Sequence, residues 1–163
     1  YLADTGRLDQ VSRGVYTLPE VWEDEFVSIQ ERYKRGVFAL DTALFLHDLT
    51  DRTPHKFHMA FPYGYNTSSP KAAGILCSCK KEPYYSLGIA LVDTPAGNTV
   101  RAYNAEKTLC EILKPISHTD IQIITDAFKR YAGRKDKNIP LLSEYAHQLR
   151  VEKRLRPYLE VLL

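Results

Sequence analysis

The hydrophobic pattern of this chain changes its period at Asn104. From Lys56 up to this residue, apolar side chains come in short runs bounded by turn-forming residues, and the last run is Thr99 to Tyr103. Runs of this length and setting predict strands. After Asn104, apolar side chains recur every three or four residues, which predicts helices that each bury one face. We therefore expect an α+β fold in which a small, mostly antiparallel sheet is followed by a helical C-terminal third.

The predicted elements cover most of the chain. Strands are predicted at Lys56 to Phe61, Ala73 to Cys79, Tyr84 to Val92 and Thr99 to Tyr103. Helices are predicted at the apolar stripe of Trp22, Phe26, Ile29 and Tyr33, over Thr42 to His47 and Ala105 to Leu113, along the stripe from Ile121 to Tyr131, from Pro140 to Leu149, and at the C-terminus. Turn-forming residues predict a loop over Tyr63 to Ser69. Pro157 lacks an amide hydrogen, so we expect it to bend or interrupt the last helix.

The N-terminal segment predicts a structure of a different kind. Tyr1 to Gly6 is typical of a last helical turn closed by glycine. The runs Leu8 to Val11 and Val15 to Leu18, joined by Ser12-Arg13-Gly14, predict a hairpin. A helix end that leads into a hairpin is typical of a winged helix-turn-helix, in which the hairpin is the wing. We expect residues 1–19 to be a remnant of such a DNA-binding domain and residues 20–163 to form a second domain.

Charge is distributed unevenly along the chain, although the formal net charge is only +2. The window from Lys129 to Arg156 has nine basic and three acidic residues, or +6, which leaves thirteen basic and seventeen acidic residues, or −4, elsewhere. Such asymmetry is typical of a surface that faces phosphates. A solvated helical face is the more common explanation of such a charge run.

The cysteines and histidines do not form a recognisable metal or nucleophile motif. Cys77, Cys79 and Cys110 are odd in number and lack the spacing of a zinc site, so we interpret them as reduced thiols. His55 and His58 are three residues apart on a predicted strand, an offset that points them to opposite faces. We expect no metal and no cofactor.

One enzymatic alternative remains, a magnesium-dependent nuclease built on Asp93, Glu106 and Lys107. Neighbouring residues on a helix diverge by about 100 degrees, so Glu106 and Lys107 would not hold one metal-bound water. Glu106 in the first turn of a helix is also explained by its favourable interaction with the helix dipole. We therefore expect a protein that is not an enzyme.

Membrane insertion and secretion are not indicated by the sequence. No apolar run approaches the roughly 18 residues of a membrane span, and no basic-then-apolar leader opens the chain. We expect a cytoplasmic protein.

Two polar segments are candidate contact surfaces. The first follows the helix Thr42 to His47, and the second is the tyrosine-rich loop after the strand Lys56 to Phe61. Such segments shape loops in many proteins, and exposed ones also contact partners. Their candidate residues are Asp48, Asp51, Arg52, Tyr63 and Tyr65.

Three segments resemble the AbiEi family, the antitoxins and transcriptional repressors of bacterial abortive-infection toxin–antitoxin pairs. They are Arg13-Gly14-Val15-Tyr16, the stretch from Ala43-Leu44-Phe45-Leu46-His47-Asp48 to Thr53-Pro54, and His58-Met59-Ala60-Phe61-Pro62-Tyr63-Gly64-Tyr65-Asn66. Glu106-Lys107-Thr108-Leu109-Cys110-Glu111 is also similar to the family's segment before its last helices. The resemblance implies an N-terminal winged helix-turn-helix that binds inverted repeats in the operon's own promoter, and a C-terminal domain needed for antitoxicity.

The resemblance also implies partners and sites. The family's cognate toxin, AbiEii, is a nucleotidyltransferase, and the pair is classed as type IV, which implies that antitoxin and toxin form no direct complex. Symmetric operators imply two copies on double-stranded DNA. The residues that read bases are expected upstream of Tyr1. Candidate DNA contacts are Arg7, Arg13 and Gly14 in the wing, and Lys129, Arg130, Arg134, Lys135, Arg150, Lys153 and Arg154 in the basic window. The alternative is a module that binds the toxin or the toxin's target RNA.

Overall fold

The computed structural model describes residues 9–12, 15–17 and 24–162. In its first part, strand β1 (Asp9–Ser12) pairs antiparallel with β2 (Val15–Thr17), with Gln10 opposite Tyr16. The predicted hairpin is therefore confirmed. The predicted helix end at residues 1–6, and the candidate contacts Arg7, Arg13 and Gly14, lie outside the described residues, so the role of this hairpin as a wing stays a prediction.

The centre of the fold is a five-stranded sheet. Its strands are β3 (Val37–Phe38), β4 (His58–Pro62), β5 (Leu76–Lys80), β6 (Ile89–Asp93) and β7 (Thr99–Tyr103). They lie in the order β5-β4-β3-β7-β6. Strand β3 runs antiparallel to β4 and parallel to β7, while β4 is parallel to β5 and β6 is antiparallel to β7.

The prediction of a mostly antiparallel sheet is wrong, because two of these four strand pairs are parallel. A short helix, α3 (Ser68–Ala72), crosses from the end of β4 to the start of β5 and lets the two strands run in the same direction. Part of this helix lies in the segment predicted as a loop. Strand β3, which joins the two halves of the sheet, is only two residues long. Two residues cannot display an alternating pattern, so the sequence did not predict this strand.

Helices surround the sheet. Besides α3, the described helices are α1 (Glu25–Arg32), α2 (Leu40–Leu46), α4 (Ala105–Ile112), α5 (Ile121–Ala132), α6 (Ile139–Leu149) and α7 (Glu152–Leu162). A 3₁₀ turn lies at Pro115–Ser117. Helix α7 continues through Pro157, so the predicted interruption does not occur. Pro157 is exposed, and water can bind the carbonyl oxygen that lacks an amide partner there. Among the described residues, no helix has both the length and the apolar character needed to cross a bilayer.

The two faces of the sheet are covered differently. Phe38, Met59 and Phe61 pack with Phe26 and Tyr33 of α1 on one face. On the other side, α2, α4, α5, α6 and α7 share a larger apolar core. Helix α4 lies at the centre of this core, in contact with α2, α5 and α6, and all of its residues are buried. A charged residue on α4 therefore has no direct access to solvent.

Candidate functional site

Helix α4 carries three buried charged side chains, Glu106, Lys107 and Glu111. The helix begins where Asn104 caps it, since the Asn104 side chain accepts a hydrogen bond from the Lys107 amide at 2.8 Å. Glu106 and Lys107 occupy the first turn, and Glu111 lies four residues after Lys107 on the same face. Charges are rarely buried without partners, so each of these side chains requires an explanation.

Lys107 is fully enclosed. Its ammonium donates hydrogen bonds to the carbonyl oxygens of Tyr84 and Leu87, each at 2.8 Å, and lies 3.6 Å from the centre of the Tyr103 ring. Gly88 makes this enclosure possible, because its φ is +83° and a Cβ atom there would lie 2.7 Å from the Lys107 Cβ. Burial lowers the pKa of Lys107 to about 8.

Glu111 lies between two lysines. One of its oxygens lies 3.0 Å from Lys80 Nζ and 3.5 Å from Lys107 Nζ. Neither oxygen accepts a hydrogen bond of good geometry from the residues described. The carboxylate is therefore stabilised mainly by charge, which acts strongly in a water-poor interior. Nearby, His58 Nε2 lies 3.3 Å from Ser78 Oγ, and burial lowers the pKa of His58 to about 4, so this ring is neutral at pH 7.

Glu106 contacts a different part of the core. It accepts a hydrogen bond from the Tyr131 hydroxyl at 2.6 Å, and that hydroxyl accepts one from the Asn138 amide at 2.7 Å. Glu106 and Lys107 therefore do not converge on a common point, as the nuclease arrangement would require. In the parts of the chain that the structure describes, no three histidine, cysteine or acidic side chains are grouped closely enough to hold a metal ion.

We expect Lys107 to contribute a rise of about 1 to 2 kcal/mol to the free energy of unfolding between about pH 7.5 and about pH 9.5, measured as the difference between wild type and the Lys107→Met variant. The comparison is needed because burial raises the pKa of Cys110 to about 12, and this lowers stability over the upper part of the same range. The pKa of Lys107 is about 8 when folded, below the ordinary value of 10.5, so in this range the unfolded chain binds more protons. The contribution is fully present above the unfolded pKa and is lost as the pH falls through about 8. Urea unfolding at several pH values measures the rise. The Lys107→Met variant should abolish it, and an equal rise in that variant would assign it to another group.

Two of the predicted DNA-contact residues, Arg130 and Arg134, are engaged within the protein. Arg130 pairs with Asp126 at 2.8 Å and lies 3.8 Å from Asp51. Arg134 donates a hydrogen bond to the His47 carbonyl oxygen at 2.9 Å and two more to the Asp136 carboxylate. The bonds to Asp136 raise the pKa of the Arg134 guanidinium and lower the pKa of the Asp136 carboxyl. These arginines connect α5 to the segment that follows α2.

The remaining basic candidates are exposed. Arg150, Lys153 and Arg154, which we call the basic corner, lie where α6 meets α7. Together with His147 and Glu152 they line an open cleft of about 690 Å³. Within the described ranges, no side-chain hydrogen bond or ion pair involves the three cations of the basic corner, whereas His147 and Glu152 pair with each other at 3.1 Å.

Lys129 and Lys135 are also exposed and belong to the same basic window. Lys129 lies near the end of α5, and Lys135 lies in the turn between α5 and α6. Neither forms an ion pair with an acidic residue that the structure describes.

The five candidate contact residues, which under the family resemblance are candidates for the antitoxicity surface, fall into two groups. Asp48, Asp51 and Arg52 precede β4, whereas Tyr63 and Tyr65 follow it. A five-residue strand spans roughly 15 Å, so the two groups lie at opposite ends of it. The structure therefore does not bring all five side chains into one patch.

The two groups also differ in character. Asp48 has a φ of +58° and is exposed, near Arg134 and Asp93 in one cleft. Tyr63 is 69% exposed, with the Lys81 ammonium 4.8 Å from its ring centre. Tyr65 is half-buried because its ring stacks on that of Phe61 at 4.6 Å.

No family model matches the chain, and no curated protein matches it in sequence.

Proposed function

We propose that this protein is a DNA-binding regulator and antitoxin without enzymatic activity, which acts in the cytoplasm on double-stranded promoter DNA. Two lines of support exist. One is the resemblance of Ala43 to Asn66 to the AbiEi family, and the other is the basic corner. Under the same proposal the partner is a nucleotidyltransferase toxin that is neutralised without a direct complex, and the β1–β2 hairpin serves as the wing.

The basic corner is the observation that carries the DNA-binding part of the proposal. Arg150, Lys153 and Arg154 are exposed, adjacent and without acidic partners in the described part of the chain. Two of these charges are unfavourable for the fold itself, because Lys153 and Arg154 lie in the first turn of α7, where the helix dipole favours negative charge. Arg150 ends α6, where a positive charge is favoured, although its backbone has a φ of +61°, where glycine is preferred. The charges of Lys153 and Arg154 fit a surface whose ligand is the phosphate backbone.

Charge reversal of the basic corner tests this proposal. The triple variant Arg150→Glu, Lys153→Glu and Arg154→Glu should bind promoter DNA more weakly. The slope of log Kd against log salt should fall by about 3, since each phosphate contact contributes about one unit. Fluorescence anisotropy with a labelled duplex, repeated at several salt concentrations, measures both quantities. An unchanged slope would remove the basic corner from the DNA interface.

A matched control separates the location of the charges from their number. Lys34, Lys56 and Lys71 are exposed and lie outside the basic window. Reversal of these three charges alters the net charge by the same amount, so it should reproduce only the small long-range part of the loss. If both triple variants lost equal affinity, the effect would be one of net charge and not of the basic corner.

A further inference from the structure

Strand β6 forms one edge of the sheet, and its hydrogen-bond register is fixed by its neighbour β7. Two bonds at the ends of the pair define the pattern: the Asn104 amide donates to the Gly88 carbonyl oxygen at 2.8 Å, and the Thr94 amide donates to the Asn98 carbonyl oxygen at 2.7 Å. Between them, hydrogen-bonded and non-hydrogen-bonded residue pairs alternate. The backbone groups of Ala90 and Val92 therefore point towards β7.

It follows that the backbone groups of Ile89, Leu91 and Asp93 point away from the sheet. The Ile89 amide is bound to the Ser86 carbonyl oxygen at 3.3 Å. For Leu91 and Asp93, no hydrogen bond across the outer edge is found among the residues described. Both residues are exposed, and the Leu91 side chain is 75% exposed although it is a large apolar group.

This edge also lacks the features that usually protect an edge strand. Its sequence, Ile-Ala-Leu-Val-Asp, has no lysine, no proline and no bulge against β7. The opposite edge, β5, differs in this respect because it ends in Lys80, followed by Lys81. An edge whose one charge lies at its end, and whose outward amide and carbonyl groups mostly have no partner among the described residues, is a template for one more strand.

We propose that β6 pairs with β6 of a second copy of this protein, antiparallel and with the twofold axis at Leu91. In this register Leu91 of each copy exchanges two backbone hydrogen bonds with Leu91 of the other. The Asp93 amide of each copy donates to the Ile89 carbonyl oxygen of the other, which adds two more. The result is one continuous sheet of ten strands through both copies.

The register is self-complementary for both hydrogen bonds and charge. It uses the outward-facing backbone groups of all three residues, whereas a twofold axis at Ala90 or Val92 would use only two of them. It also places Asp93 opposite Ile89 of the other copy, so the single charge of the strand does not face its own symmetry mate. A second copy therefore provides an acceptor for the outward-facing amides of both Leu91 and Asp93.

The dimer should be weak. A single five-residue edge buries less than the roughly 1,200 Å² typical of stable complexes. We therefore expect association that depends on concentration, measurable by sedimentation equilibrium at high protein concentration. A protein that remains monomeric at about 1 mM would overturn the proposal.

One substitution tests the edge and a second is the control. Leu91→Lys adds a charge next to its own symmetry mate and should weaken the dimer at least about tenfold. Ile121→Lys makes the same change at a residue that is 63% exposed on α5, away from the edge, and should leave the dimer unchanged. Equal dimerisation of wild type and Leu91→Lys would contradict the proposal, as would a loss shared by Ile121→Lys.

A cysteine at the proposed axis tests the register itself. Hydrogen-bonded antiparallel pairs have Cα atoms about 5.5 Å apart, a distance that a disulfide spans. In a background with Cys77→Ser and Cys79→Ser, Leu91→Cys should form a covalent dimer on mild oxidation, while Ile121→Cys in the same background should not. Equal yields of covalent dimer from the two variants would rule out the axis at Leu91.

Discussion

Replacement of Glu111 by glutamine should lower the free energy of unfolding by about 3 to 5 kcal/mol, which is the usual cost of removing one member of a buried ion pair. Glu111 is 2% exposed and lies between Lys80 and Lys107. Lys80 is 23% exposed and can turn towards water, but Lys107 is enclosed and cannot. The variant would leave a buried ammonium without its counter-charge. Urea unfolding followed by circular dichroism measures the loss.

The origin of this loss can be tested with two further variants. Glu144→Gln makes the same chemical change on the exposed face of α6 and should alter stability by less than about 0.5 kcal/mol. The double variant Lys107→Met, Glu111→Leu removes both buried charges and should recover at least about 2 kcal/mol of the loss. Failure of the double variant to recover stability would mean that packing around α4, and not the unpaired charge, causes the loss.

Replacement of Asp24 by alanine should lower the free energy of unfolding by about 2 to 4 kcal/mol. Its carboxylate accepts hydrogen bonds from the amides of Phe26 and Val27, which caps α1. It also accepts bonds from the Thr94 hydroxyl at 2.6 Å and the Asn98 side-chain amide at 2.8 Å, in the turn between β6 and β7. One side chain therefore holds the first described helix against a hairpin distant in the sequence.

The Asp120→Ala variant measures the cost of losing a helix cap alone, and so shows how much of the effect of Asp24→Ala comes from its hydrogen bonds to the hairpin. Asp120 caps α5 in the same way, through one bond to the Gln122 amide at 2.9 Å, but no other side-chain hydrogen bond to it is found in the described ranges. Its loss should lower the free energy of unfolding by only about 1 kcal/mol. If the two alanine variants were equally stable in chemical denaturation, the hydrogen bonds to Thr94 and Asn98 would contribute nothing.

The elements that the sequence predicted well are those with local signals. Asn104 caps α4 as expected, and Pro140 lies at the start of α6. The bounds of β7 agree with the predicted strand Thr99 to Tyr103. In each case the hydrophobic period and the terminal residue point to the same boundary. The parallel pairing of β4 with β5 has no such signal, because strand direction depends on how the intervening segment crosses the sheet.

The charged sites were harder to predict for a related reason. The basic window was visible in the sequence, but the sequence could not separate Arg134, which binds Asp136 and the His47 carbonyl oxygen, from the basic corner, which has no acidic partner among the described residues. The burial of Lys107 was also not predicted. A charged residue on an amphipathic helix is ordinarily assigned to the face that contacts solvent. Lys107 is buried because other helices pack around α4.

The position of β3 in the sheet has a consequence for the order in which the protein can fold. On one side Phe38 pairs with Met59 of β4, which is close in sequence, and on the other with Ala102 of β7, which is distant in sequence. Strand β3 can therefore complete its pairing only after β7 has been synthesised. During synthesis, the apolar face of β3 and β4 is therefore available before β7 has left the ribosome. Late, long-range pairing of this kind slows folding and leaves intermediates prone to aggregation. The risk of misfolding during synthesis is therefore greatest in the interval after β4 has left the ribosome and before β7 has done so.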